Sequence, residues 1–211
     1  MKNLLEIGHY CATGGISVHL RRLVKLLQND YNINIIDESP LTDNNGKVFN
    51  IRNKQFFKYL KLVLKSDIIH IHTTIQILRF FHVIIGFILF KKVVVTIHSL
   101  TVVNNKKDML FLRFTLLFSN KIIVVSEEVK QKLEIKKAII LPAFLPPIME
   151  EEEKLNKEIT TLLELNKGRK IIVSNAYKLN IYNGQDLYGL DLLINVACKI
   201  KKDKKNIKII L

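Results

Sequence analysis

The sequence predicts an α/β protein whose body is a Rossmann-like, doubly wound parallel sheet. Three observations carry this. Short runs rich in Ile and Val recur along the chain. These runs are continuous rather than alternating in polarity, as strands covered on both faces are. They also rotate strictly with helix-like stretches, which is the signature of strand–helix–strand crossovers.

The expected strands are Asn3–His9, Asn32–Asp37, Asp67–His72, Lys92–His98, Lys121–Ser126, Ala138–Leu141, Lys170–Asn175 and Asn206–Leu211. Between the first two lies Ile16–Asn29, whose apolar positions Leu20, Leu23, Val24, Leu26 and Leu27 follow a helical period. Further helices are expected over Phe56–Lys65, Ile75–Phe90, Asp108–Phe118 and Glu127–Leu133. Ser126 stands where a helix cap belongs, with Glu127 and Glu128 in the first turn. Pro142, Pro146 and Pro147 then break the rhythm and read as a linker. A solvated helix is expected over Glu150–Leu165, where Glu150/Lys154 and Glu153/Lys157 sit four apart with the favourable polarity. The rhythm resumes with a strand at Lys170, a loop containing Asn183-Gly184, a helix from about Gly189 to Ile200 and a last strand. The expected organisation is a first Rossmann-like domain over residues 1–145, a linker with the solvated helix over 146–168, and the strand–helix–strand opening of a second such domain over 169–211. Two strands and one helix are too little for an independent sheet domain, so the second half reads as truncated.

Composition narrows the function classes. At 48% apolar and 25% charged residues the chain can form a packed core. A net charge of +14 favours anionic partners such as phosphorylated ligands, an acidic membrane surface or nucleic acid. Cys11 and Cys198 are too few and too distant for a disulfide framework, which fits a reducing, cytoplasmic setting. The N-terminus has no signal-peptide pattern. The most apolar run, Phe80–Phe90, falls far short of the ~20 residues that span a bilayer. No recognised nucleic-acid-binding motif is present, so no specific nucleic-acid partner is expected.

In an open parallel sheet, ligands bind beyond the carboxyl ends of the strands. The first strand is followed by a loop that ends in Gly14-Gly15, the third ends at His70 and His72, the fourth at His98-Ser99, and the fifth at Ser126-Glu127. Gly14-Gly15 opens a helix, where free backbone N–H groups and the helix dipole attract an anion; a tight turn needing positive φ is the equal alternative. His98 at the ligand edge can hydrogen-bond a sugar hydroxyl or a phosphate as a neutral imidazole. His70 and His72 share a face by the period of two; His72, nearer the strand end, is expected at the cleft and His70 packed. No Cys, Asp or Glu beside them completes a metal site, so no metal is expected. His19, one turn into the first helix, reads first as a core or capping residue, with lining of the cleft as the lesser alternative. Ser126 suffices as a cap, and a cap at this edge can also face substrate. No nucleophile elbow, phosphate-binding P-loop or zinc-protease motif occurs.

The ordered series Gly14-Gly15…His19, Asp67–His72, Val94–Ser99, Asn120–Val129 and Ile140–Pro142 resembles the N-terminal domain of family 4 glycosyltransferases of the GT-B fold. Lys170–Asn175 followed by Asp186–Ile194 resembles the opening of their donor domain, in a version similar to enzymes that build bacterial surface polysaccharides. The resemblance implies transfer of a sugar from a nucleotide-diphosphate sugar to a glycan or lipid-linked acceptor, with retention and without a cofactor or divalent metal. It implies Gly15 beside the donor diphosphate and His98 on the transferred sugar; from their places past the strand ends, Gly14, His72, Ser99, Ser126 and Glu127 are expected around the substrate. Lys178 and Asn175 take the place of the family's donor-phosphate residues, and Tyr188 precedes Gly189 where the family commonly has Lys-Gly. The family's Glu-x7-Glu segment is not among the 211 residues, so this chain alone is expected to be inactive; sugar transfer above a no-enzyme control would refute that. The many cations in or beside first-domain helices, Arg79 and Lys91 among them, suggest peripheral docking on the anionic inner leaflet. The alternative reading is a non-catalytic basic α/β module that binds an anionic partner.

Overall fold

The computed structural model describes residues 1–40, 48–99, 106–143, 145, 157–173, 181–182, 185–186, 189–202 and 207–210. The chain forms two units, Met1–Ile148 and Met149–Leu211.

The first unit is a seven-stranded sheet in the order β3-β2-β1-β4-β5-β6-β7. Its strands are β1 (Lys2–Gly8), β2 (Tyr31–Asp37), β3 (Phe49–Asn50), β4 (Ile68–Ile71), β5 (Lys92–Ile97), β6 (Lys121–Val124) and β7 (Ile139–Ile140). Every neighbouring pair is parallel. The crossovers are helical: α1 (Gly15–Leu27), α2 (Phe56–Lys65), α3 (Gln76–Ile88), α4 (Lys106–Phe118) and α5 (Glu127–Lys132). The continuous apolar runs become the core, in which Leu5, Ile7, Ile36, Ile69, Ile71, Val93 and Val95 are fully buried. Each expected strand and helix of this unit is present, shifted by a few residues at its ends. The two-residue β3 was not expected; it lengthens the edge beside β2.

The chain runs outward from β1 through β2 to β3, then returns to β4 on the other side of β1. Above the carboxyl ends of β1 and β4 the crossovers therefore depart in opposite directions, which opens a crevice there.

The second unit contains α6 (Lys157–Leu165), a parallel pair of β8 (Lys170–Val173) with β11 (Ile207–Ile210), an antiparallel pair of β9 (Ile181–Tyr182) with β10 (Gln185–Asp186), and α7 (Leu190–Lys202). The β9–β10 pair flanks Asn183-Gly184, where only a loop was expected. The expected helix from Glu150 falls outside the described residues as far as Asn156, and its two four-apart ion pairs lie there in whole or part.

Candidate functional site

The loop after β1 is pinned by one buried carboxylate. Asp37 Oδ1, at the end of β2, accepts the Tyr10 and Cys11 backbone N–H groups at 2.8 and 3.3 Å. Its other oxygen accepts from Ser39 Oγ at 2.6 Å and Asn50 Nδ2 at 3.1 Å. The loop is thus delivered to Gly14, whose φ of 120° is a conformation that L side chains rarely adopt. Gly14 caps α1 without any side-chain hydrogen bond, so the first-turn N–H groups have no capping acceptor. Gly14 provides the positive-φ turn, and Gly15 is the first residue of α1.

A cleft of about 450 Å³ lies against this turn, lined by Gly15, Ile16, His19, Arg22, His98 and Ala143 among others. Gly15 and His98 therefore share a cleft at the carboxyl edge of the sheet. A second depression of about 270 Å³, on the other side of Gly14-Gly15, includes His9, Thr13 and Thr74. Ser126 caps α5, accepting the Val129 N–H at 3.3 Å. Glu127 is exposed and accepts from Gln131 within the same helix. Neither lines the cleft. Ser99 is half-buried just after His98. Lys178 and Asn175 lie outside the described residues.

Behind His98 the fold assembles a buried chain of ring nitrogens and one carboxylate. Glu6, in the middle of β1, is fully buried and in register with His70 of β4. Its two oxygens each take one histidine: Oε1 lies 3.2 Å from His70 Nδ1 and Oε2 lies 3.1 Å from His72 Nε2. His70 Nε2 lies 2.8 Å from Thr96 Oγ1, and His72 Nδ1 lies 3.0 Å from His98 Nε2. Burial opposes ionisation of Glu6, but the pull of His70 and His72 outweighs it and holds the carboxyl at about 2. An ionised carboxylate only accepts, so His72 donates from Nε2 and presents a bare Nδ1. His98 then donates from Nε2 to His72. Burial, aided by the neighbouring His70, lowers His72 to about 4 despite Glu6. Burial, aided by His72, His19, His70 and Arg79, lowers His98 to about 3. Both shifts favour the neutral form of the rings, in which each carries one donor and one acceptor nitrogen.

Three expectations change. His72 does not line the cleft; it is fully buried behind His98, because β4 ends one residue before it and packs against Gly8. A Cβ on Gly8 would stand 3.0 Å from His72 Cβ, so glycine is what admits the ring's backbone there. His19 takes its lesser alternative rather than a place in the core: its ring lines the cleft 5.1 Å from that of His98, and its Nδ1 donates to the Ala143 carbonyl at 2.6 Å. Arg79 is not a surface cation; it is 1% exposed and its guanidinium donates twice to the Thr73 carbonyl and once to Gln76 Oε1. His70 is packed as expected.

Sequence reasoning also missed a second buried network beside the first. Glu38, just beyond β2, accepts from Thr73 Oγ1 at 2.8 Å and from His82 Nε2 at 3.0 Å. His82 Nδ1 in turn lies 2.9 Å from the Tyr59 hydroxyl. Burial, and next the Glu38 charge, push the Tyr59 phenol above its ordinary range, so it stays a donor. Burial lowers Arg79 to about 10 against the opposing pull of Glu38.

No family model and no curated protein matches this chain. Solved structures do. The chain is similar to Anabaena Alr3699/HepE in complex with UDP-glucose, with a TM-score of 0.62 and 12% identity over 99% of this chain and 68% of that one. The same protein in complex with UDP and glucose gives a TM-score of 0.57 at 12% identity, covering 99% of this chain and 69% of that one. UDP-GlcNAc 2-epimerase from Neisseria meningitidis bound to UDP-GlcNAc gives 0.55 at 16% identity, covering all of this chain and 65% of that one. At such identities the likeness is one of fold: a Rossmann-like α/β architecture of the GT-B kind. The chain spans about two thirds of the length of these neighbours.

Proposed function

We propose that this chain belongs to a family 4 type glycosyltransferase that moves a sugar from a nucleotide-diphosphate sugar to a glycan or lipid-linked acceptor in surface-polysaccharide synthesis. The observation that carries the reading is that Gly15, in the uncapped first turn of α1, and His98 line one cleft at the switch point of the sheet. That turn offers backbone donors and a positive dipole end to a diphosphate. His98 offers a neutral ring nitrogen to a sugar hydroxyl, and its tautomer is fixed from behind by Glu6 through His72. The similar structures carry UDP or UDP-sugars, which supports the ligand class. Leaving-group charge would be met by backbone donors and cations. The test is ligand-observed and protein NMR on the 211-residue chain with UDP-, GDP- and CMP-sugars. Shifts at Gly15, Ile16 and His98, accompanied by Asn175 and Lys178, with one nucleotide class are expected; no shift at millimolar ligand would overturn the reading.

The lipid-linked acceptor draws support from α2. Phe57 is 86% exposed beside exposed Lys58, Lys61, Leu64 and Lys65, and several of these line an open groove. Apolar side chains between lysines suit an anionic bilayer surface, where each cation contributes about 1 kcal/mol. Among the described residues, no helix is long and apolar enough to cross a membrane. Co-sedimentation with anionic but not neutral liposomes, lost in Lys58→Glu/Lys61→Glu, is the expected result; equal binding to both vesicle types would remove this part.

A further inference from the structure

We propose that His19, His72 and His98 form a binding site for a divalent transition metal ion of the zinc type, held by three imidazoles with a fourth position open to the cleft. Along the chain no third ligand stands beside His70 and His72. In the fold, α1 and β5 bring His19 and His98 to them, and one nitrogen of each of the three rings lies within 4.8 Å of the others. The closest pair, His72 Nδ1 and His98 Nε2, is 3.0 Å apart. A tetrahedral ion with bonds of about 2.0–2.1 Å separates its nitrogen ligands by about 3.3 Å, so this edge needs only a small opening.

The hydrogen bonds behind the rings favour ligation. His72 donates from Nε2 to Glu6, which leaves Nδ1 facing His98 as a free lone pair. His19 donates from Nδ1 to the Ala143 carbonyl, which leaves Nε2 free. A carboxylate and a carbonyl behind metal-binding imidazoles are the partners that fix ring orientation and raise donor strength. Only His98 must change, by moving its proton from Nε2 to Nδ1. His19 and His98 line the open cleft, so an ion has a path in and a vacant side on which water or a substrate oxygen can bind. The other clustered set, Glu6, His70 and His72, is wholly buried and its nitrogens and oxygens already engage one another. All-imidazole ligation suits zinc, cobalt, nickel and copper rather than magnesium or calcium, which prefer oxygen. The site does not depend on the glycosyltransferase reading; if both hold, an ion on His98 Nε2 moves that ring's proton to Nδ1 and so changes what His98 offers a sugar hydroxyl.

The test uses the full 211-residue protein with Cys11→Ser and Cys198→Ser, which removes thiol ligands, stripped with chelator and titrated with Co²⁺ and then Zn²⁺. Expected are one ion per chain, intense visible bands of a tetrahedral cobalt site displaced by zinc, and zinc-induced shifts of the His19, His72 and His98 ring resonances with those of His9 and His82 unmoved. The last readout needs no histidine variant to fold. His98→Gln should abolish the cobalt bands, and Glu6→Gln should weaken affinity by about tenfold or more. Absence of binding by the folded protein at micromolar metal, or zinc shifts at His9 instead, would overturn the site; either result leaves nucleotide-sugar binding untouched.

Discussion

Lowering the pH from 7 to 5 in the presence of chelator should cost the folded protein about 4 kcal/mol, through His72 and His98. In the unfolded chain each ring gains a proton as pH falls through 6.5. In the folded chain His72 takes one only near 4 and His98 only near 3. The surroundings explain why: His98 faces His72, His70, His19 and Arg79, and His72 faces His70 and His19, with only Glu6 in its favour. Between 6.5 and these lower values the unfolded state binds more protons, so stability falls as pH falls, by about 1.4 kcal/mol per pH unit for each ring. The penalty is absent above 6.5 and reaches about 2 kcal/mol per ring by pH 5. Glu6 acts in the same direction lower down: its contribution is complete above 4.5 and is lost as pH falls towards about 2. By pH 4 the loss approaches about 7 kcal/mol, a large share of a total stability of about 5–15 kcal/mol. Urea denaturation at pH 7, 6 and 5, followed by circular dichroism, measures the slope. His98→Gln should reduce it by about half. A free energy of unfolding constant to within about 1 kcal/mol from pH 7 to 5 would refute the claim that these rings are buried in their neutral form.

Three other substitutions probe the parts separately. Gly8→Ala sets a Cβ 3.0 Å from His72 Cβ and 3.3 Å from Leu20 Cδ2, so it should destabilise by about 1–3 kcal/mol in denaturant titration and move the His72 ring resonances. Tyr59→Phe removes the hydroxyl that meets His82 Nδ1 and leaves a buried acceptor unsatisfied, for an expected loss of about 1–3 kcal/mol in the same assay. Ser126→Ala should cost about 1 kcal/mol of stability through the lost cap while leaving nucleotide-sugar binding unchanged; weakened binding would give Ser126 a place at the substrate after all.

The sheet was legible because burial on both faces writes itself into the sequence as unbroken apolar runs, and its ligand edge followed from where polar residues end those runs. Gly14, Gly15 and His98 were found by that rule. Glu6 was not, since it stands inside a strand rather than beyond one. A carboxylate within a run such as Leu4-Leu5-Glu6-Ile7 cannot be buried alone, so its presence alone demands a partner in the core. The period of two even names the candidates: His70 and His72 share a face of their strand, and Thr96 and His98 share a face of theirs. What the chain does not write down is that β4 is the neighbour of β1 and β5 the neighbour of β4, because those pairings depend on connections of about twenty to sixty residues. Arg79 failed for a related reason: a cation in a helix facing the sheet can be buried if a carbonyl waits at the right height, and Thr73 supplies it only after β4 has been placed. The antiparallel pair of Ile181–Tyr182 with Gln185–Asp186 was a different kind of miss, as Asn-Gly between short β-prone segments is a local signal for such a pair. Buried polar residues in predicted strands are thus the place where a sequence states that a network exists, and strand order is the one fact needed to say which residues compose it.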